Sequence, residues 1–306
     1  MSAGWVAGGV RAQAMARRRL GKTGVRALAR SSGLAEAVAL LAASPYGRHV
    51  HPDDSLAEAQ HGVLEALLWN LRVLAGWLPP PGVRALRVLA GWFEIANIEE
   101  HLARLTGRDG DAPYRLGVLG SAWPRLAQAG SAAELRSQLS ASVWGDPGGE
   151  TAADIALGLR IAWAQRIGSQ VGPAVPWVLG GLALMVAGQR YAAGRPLTDR
   201  AARGVDALLG REWAQAGDIA GFPHRLPTRA RWALRGVERP EQLWRAEAAW
   251  WARLRADGLR LLGGEFGPDR PIGTVALLAV DAWQVRAALA VAARPNATEA
   301  DFDVVA

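Results

Sequence analysis

One stretch of this chain occurs twice, and that repetition constrains the fold more than any other feature. The segment Leu34-Ala35-Glu36-Ala37-Val38-Ala39-Leu40-Leu41-Ala42-Ala43-Ser44-Pro45-Tyr46-Gly47 returns 98 residues later as Ala132 to Gly145, without a gap. Ala35, Glu36, Leu41, Ala43, Ser44 and Gly47 recur as Ala133, Glu134, Leu139, Ala141, Ser142 and Gly145, and the aromatic Tyr46 recurs as Trp144. The same offset pairs Leu28-Ala29 with Leu126-Ala127. Each copy spells a short helix ended by a Ser-x-aromatic-Gly turn. Glycine accepts the left-handed backbone that closes a helix, and the aromatic ring packs back on the last turn. A unit of this size cannot bury its apolar face alone, so repeated copies imply stacked helical units.

A second, weaker echo lies 190 residues apart. Glu94-Ile95 with Arg104 finds a partner in Gln284-Val285 with Arg294, both near the ends of Leu-rich helices. Two spacings of about a hundred residues divide 306 residues into three helical repeats, 1–108, 109–205 and 206–306. A third copy of the turn is not recognisable in the region Phe222 to Leu234, so the threefold division is inferred from spacing.

The helical class follows from composition and period. Ala, Leu, Arg and Gly dominate, and β-branched residues form no alternating runs. Leu64, Leu67, Leu68, Leu71 and Leu74 form one apolar stripe at helical spacing. Pro79-Pro80-Pro81-Gly82 ends that helix, and the next is expected from about Val83 to Leu105. Breaks follow at Gly107 to Pro113, Asp146 to Gly149, Gly194 to Pro196 and Gly263 to Pro271, and one long helix is expected from Gln242 to Leu262. No segment reads as a strand.

Two apolar stretches invite a membrane reading. Val171 to Gly188 has no charge but carries Pro173 and Pro176, and it is short against the roughly 20 apolar residues of a spanning helix. Ile272 to Ala293 holds Asp281 and Arg286 in mid-segment, each costly at a bilayer centre. Both are expected to be buried helices. Met1 to Arg19 lacks a cationic segment followed by an apolar core, so no signal peptide is expected. The sequon Asn296-Ala297-Thr298 carries no weight without one.

Charge excludes little and points weakly. There are 35 basic and 28 acidic residues, a net of +7, and Lys22 is the only lysine. The arginines are spread from Arg11 to Arg294 rather than concentrated, which argues against a nucleic-acid surface. The absence of Cys removes disulfides, thiolate metal sites and Cys nucleophiles.

Several residue sets raise specific chemistry. Gly21-Lys22-Thr23 resembles the end of a phosphate loop, but the glycine required five positions earlier is Ala16, and the preceding segment reads as a helix. His49, His51 and His61 offer nitrogen ligands without a fourth partner, while His101 and His224 offer less. Glu94 with Glu99 or Glu100 could pair for acid–base work. Glu94 and Asn97, one turn apart on an apolar helix, could equally cap or crosslink a helix contact. No serine-nucleophile elbow or dinucleotide fingerprint occurs. The 14 tryptophans could line a ligand box, but core and interface positions account for them more simply. No cofactor, metal or catalytic residue is expected.

Three segments together resemble the C/d-type socket family of the V-type ATPases, whose members seat the central stalk on the proteolipid ring. They are the Arg-rich helix after Gly4, LAEAVALLAASPYG from Leu34 to Gly47, and LRVLAGWFEIANIEEHLARLTGR from Leu86 to Arg108. The family's Ser/Thr-Pro-Tyr-type turn is similar to Ser44-Pro45-Tyr46, its acidic-Ile-Asn helix to Glu94-Ile95-x-Asn97-Ile98, and its C-terminal helix ending in a basic residue to AWQVRAALAVAAR from Ala282 to Arg294. Two positions depart from the pattern: Gln284 is not acidic, and Ala287 stands where Asn is expected. The resemblance implies an all-α funnel of three pseudo-repeated bundles. It implies a non-catalytic rotor part that couples the central stalk to the membrane proteolipid ring during proton or sodium transport. It places the chain peripherally on the cytoplasmic face of the plasma membrane, in contact with protein partners and no nucleic acid. Net positive charge would suit anionic headgroups and acidic stalk surfaces. Tyr46 and Trp144 are the candidate interface anchors. The contrasting expectation is a soluble helical-repeat adaptor without a transport role, and a third is a Trp-lined small-molecule binder.

Overall fold

The computed structural model describes residues 3–149 and 151–294, and all of its regular structure is helical. The helices are α1 (Ala3–Arg17), α2 (Gly21–Ala29), α3 (Leu34–Ala42), α4 (Leu56–Ala75), α5 (Pro80–Leu89), α6 (Gly91–Leu105) and α7 (Trp123–Leu126). There follow α8 (Ala132–Ser140), α9 (Ala152–Gln170), α10 (Val175–Ala187), α11 (Asp199–Leu209), α12 (Thr228–Arg231), α13 (Leu243–Leu262) and α14 (Asp269–Ala292). Short 3-10 turns join several of them, and no strand occurs among the described residues. The sequon at Asn296 lies outside those residues.

Helix starts follow local chemistry. Ser55 opens α4 with a capping box: its Oγ accepts from the Glu58 amide at 3.3 Å and Glu58 accepts from the Ser55 amide at 2.8 Å. Ser131, Thr151 and Thr198 cap α8, α9 and α11 in the same side-chain-to-amide manner. Four of the five residues of the Leu stripe bury, Leu67, Leu68, Leu71 and Leu74 at 4% exposure or less, and Leu64 at its start is partly buried. The single helix expected over Val83 to Leu105 is instead two, broken at Ala90. Trp163 supplies the reason. Its indole Nε1 donates to the Val88 carbonyl at 2.7 Å, and its ring lies against Gly91, where an added Cβ would come within 2.8 Å. The proline run does not merely stop α4; Pro80 begins α5, where a missing N–H costs nothing.

The chain divides into two compact units. The first takes the two ends, up to Val83 and from Trp251 onward; the second is Arg84–Trp250. In the first, α14 is the central element and packs against α1, α2, α3 and α4. Its segment Asp269–Ala292 is 72% buried, and Thr274 donates to the Ala12 carbonyl at 3.2 Å. In the second, Ile95, Ile98, Leu126, Leu135, Leu139 and Trp144 form one cluster with Ile155 and Leu159 of α9. Leu157 and Ile161, on the same helix, enter a second cluster with α10, α11 and Phe222. The segments Gly172–Ala192 and Asp269–Ala292 are long and apolar enough to cross a membrane by length and composition, and the first is 44% buried.

Candidate functional site

The sequence repeat is also a repeat of geometry. Ser44 Oγ donates to the Leu41 carbonyl at 2.6 Å and accepts from the Tyr46 amide at 3.2 Å. Ser142 Oγ donates to the Leu139 carbonyl at 2.8 Å and accepts from the Trp144 amide at 3.1 Å. The glycine amides close each turn on the serine carbonyl, Gly47 at 3.0 Å and Gly145 at 3.2 Å. The two glycines are required for different reasons. Gly145 has a positive φ of 69°, as expected of a helix-ending glycine. Gly47 does not share it; a Cβ there would fall 1.9 Å from the Ala42 carbonyl oxygen. Gly47→Ala is therefore expected to cost about 2–3 kcal/mol by overpacking against rigid backbone, and Gly145→Ala about 1–2 kcal/mol by left-handed strain. Urea unfolding midpoints of the two variants test the order.

A buried carboxylate faces each copy. Asp281, in α14 and 3% exposed, accepts from the amides of Leu20 at 3.0 Å and Gly21 at 2.8 Å, and from the Tyr46 hydroxyl at 2.8 Å. It thus anchors the start of α2 and the aromatic of the turn after α3. Glu94, in α6 and 1% exposed, accepts from the amides of Ser121 at 3.1 Å, Ala122 at 2.5 Å and Trp123 at 2.6 Å, and from the Ser121 hydroxyl. It anchors the start of α7. Negative charge at a helix N-terminus meets the positive end of the helix dipole, so both placements are electrostatically favourable. Helix α14 packs on α2, α3 and α4 as α6 packs on α7, α8 and α9. Each copy is thus one carboxylate-bearing helix holding a helix–helix–turn–helix segment. The residue that serves α2 as Glu94 serves α7 is Asp281, one turn before Gln284. Its sequence signal was an aspartate in the middle of an apolar helix.

Tyr46 and Trp144 are both buried, at 8% and 3% exposure. The Arg166 guanidinium lies over the Trp144 ring, 4.9 Å from its centroid. Burial, then the Asp281 charge, raises the Tyr46 hydroxyl well above its ordinary value of 10.0. The sign follows: the folded state holds the proton that the unfolded chain releases. This contribution to stability is complete below pH 10 and is lost as pH rises further. Tyr46→Phe is expected to cost about 1.5–3 kcal/mol at neutral pH, as for a hydrogen bond to a charged group. It should also make stability fall less steeply above pH 10, which urea midpoints near pH 7 and about pH 11 would read.

The other sequence candidates do not converge. Glu94 caps α7, Glu99 pairs with Arg160, and Glu100 accepts from the Asp111 amide at 3.1 Å, so the three carboxylates serve three separate contacts. Asn97 crosslinks the chain by donating to the Tyr114 carbonyl at 2.9 Å and accepting from its amide at 2.7 Å. Gly21 opens a helix that follows a helix, with its amide on Asp281, which is not a phosphate loop. His61 lies 3.9 Å from Glu65, and His101 Nε2 donates to the Ala129 carbonyl at 3.0 Å. No group of three or more His, Asp or Glu suited to a metal occurs among the described residues. Several of the tryptophans are packing residues held by specific contacts: Trp213 donates to Asp206 and Trp250 to the Trp177 carbonyl, both at 2.8 Å, and Trp251 stacks on Trp283. Beside Tyr46 and Asp281 opens a cleft of about 130 Å³, lined by Arg11 of α1, by Arg18 and Arg19 just after it, and by side chains of α4 and α14. The sequence matches no model of a known protein family and no curated protein.

Proposed function

We propose that this chain is the rotor socket of a V-type or A-type ATPase, a non-catalytic part that couples the central stalk to the membrane proteolipid ring for proton or sodium transport. The observation that carries the reading is the doubled unit itself: an acid on a long helix, Asp281 or Glu94, anchoring a helix that leads into a Ser-x-aromatic-Gly turn. The family that the sequence resembles is built from such internal repetition, with three bundles arranged as a funnel. A torque-bearing part needs joints that resist shear, and buried carboxylates that saturate helix starts make such joints stiff. In this reading the chain sits peripherally on the cytoplasmic face of the plasma membrane, bound through the ring and the stalk.

The test is a pull-down of the tagged chain from membranes solubilised in mild detergent, with associated proteins identified by mass spectrometry. Recovery of the proteolipid and of central-stalk components is expected. Recovery of the chain alone, or with unrelated soluble proteins, would sink the rotor assignment and put a helical-repeat adaptor in its place.

A further inference from the structure

We infer that the cleft between α1, α4 and α14 is a binding site for a phosphate monoester group. Three arginines line it, Arg11, Arg18 and Arg19. Arg11 comes from within α1, and Arg18 and Arg19 come from the turn that follows its last residue, Arg17. Arg19 lies on the flank toward α14. The Arg11 Nε is shut off from solvent and has no hydrogen-bond partner. A buried donor left without an acceptor is costly, and native structures rarely leave one so without a reason. Arg19 uses its Nε on the Ala16 carbonyl at 2.6 Å and keeps its other donors. Burial lowers its pKa, against the opposing pull of Asp281. Arg18 is exposed and lines the same cleft.

Charge selects the ligand. Among the described residues Asp281 is the single carboxylate lining the cleft, and both its oxygens are already taken, Oδ1 by the Gly21 amide and Oδ2 by the Leu20 amide and the Tyr46 hydroxyl. Three cations against one saturated anion leave a surplus of two positive charges, which a phosphate monoester dianion matches and a carboxylate does not. Guanidinium forks bind phosphate oxygens in pairs, and three forks suit a tetrahedral group better than a planar one. At roughly 10–15 Å³ per water, a cleft of about 130 Å³ has room for a phosphate and part of its ester substituent. Leu67, Leu278 and Met15 line it, so that substituent meets apolar surface. The site lies within the first unit and does not depend on the rotor assignment.

Two sources share this chemistry, a soluble phosphate monoester and the headgroup of phosphatidic acid. The first arm measures thermal unfolding and calorimetric binding of the full chain with phenyl phosphate, at an ionic strength fixed with potassium chloride. The second measures flotation with phosphatidylcholine vesicles with and without phosphatidic acid. A saturable stabilisation is expected, since a ligand that binds only the folded state raises its stability. Arg11→Gln and Arg18→Gln are each expected to weaken binding by about tenfold, the usual scale for loss of one charge-assisted contact. Arg17→Gln, exposed at the last residue of α1 and outside the cleft, is expected to change it less than about twofold. Arg18 is exposed, so its variant tests the site even if Arg11→Gln fails to fold. Binding to phosphatidic acid vesicles that phenyl phosphate displaces would identify the lipid source; binding of phenyl phosphate alone would identify the soluble one. Absence of saturable binding in both arms, or an equal loss in Arg17→Gln and Arg18→Gln, would overturn the inference.

Discussion

Asp281→Asn is expected to destabilise the first unit by about 3 kcal/mol, and Asp281→Ala by about 4–5 kcal/mol. The carboxylate receives three donors in a site where it is 3% exposed. Hydrogen bonds to a charged acceptor are worth about 1.5–3 kcal/mol each, and a buried donor that loses its acceptor pays its full desolvation cost. Asparagine keeps the shape but turns an NH₂ toward at least one of those donors, and it removes the charge that faces Arg19. Alanine removes every acceptor. The unfolding of a two-unit chain need not be a single transition, so a local readout is required. Amide exchange should lose protection at Leu20 and Gly21 in both variants and keep it at Ser121 and Ala122. A double-mutant cycle with Tyr46→Phe should show coupling of about 1–2 kcal/mol, since the two groups share one bond. Stability within about 1 kcal/mol of the parent, with Leu20 and Gly21 still protected, would falsify the anchoring role of Asp281.

Helical class was legible in the sequence because period, breakers and caps are local, and four of the five leucines of the α4 stripe are buried. The repeat was legible because six identities and an aromatic survive at one offset. What was not legible is non-local. The partner of α2 is an aspartate some 260 residues away, and nothing near Leu20 or Gly21 announces it. The weak echo of Glu94-Ile95 drew attention to Gln284, whereas the functional equivalent sits one turn earlier, because hydrogen-bond reach tolerates a shift of one turn that residue-by-residue comparison does not. The glycine pair shows the same limit. Gly47 and Gly145 are one position in the sequence repeat but face different constraints, a carbonyl in one case and a positive φ in the other. The break at Ala90 depends on Trp163, beyond any local signal. The arginine cleft was missed for a similar reason. In the sequence Arg18 and Arg19 are two of many arginines spread along the chain, and only Arg11 from within α1 and Asp281 from the far end of the chain turn them into a site.

Glu94→Gln is expected to cost about 3–4 kcal/mol in the second unit, slightly more than Asp281→Asn costs in the first. Glu94 accepts three backbone amides and one hydroxyl, all at the start of a helix only four residues long. A helix that short has no stability of its own and stands on its cap and its packing. Its Leu126 is fully buried in the cluster with Ile98, Leu135 and Leu139, so a displaced α7 also withdraws apolar contact from the core. Glutamine retains one acceptor oxygen; placed at Oε1 it keeps the Ala122 and Trp123 amides, but it turns an NH₂ toward the Ser121 amide and removes the charge that all these donors face. Arg166 adds a directional check. The Glu94 charge raises its pKa against the lowering by burial, so removing that charge leaves a half-buried guanidinium with less compensation over the Trp144 ring. By contrast, Glu99→Gln, which breaks a partly exposed pair with Arg160, is expected to cost less than about 1 kcal/mol. The two substitutions lie five residues apart on one helix and remove the same charge, so their difference isolates burial and amide capping from charge itself. Urea midpoints with amide exchange at Ser121 to Trp123 decide it. Equal costs for Glu94→Gln and Glu99→Gln would mean that α7 is held by its apolar contacts and that the carboxylate joint contributes nothing to the rigidity of this copy.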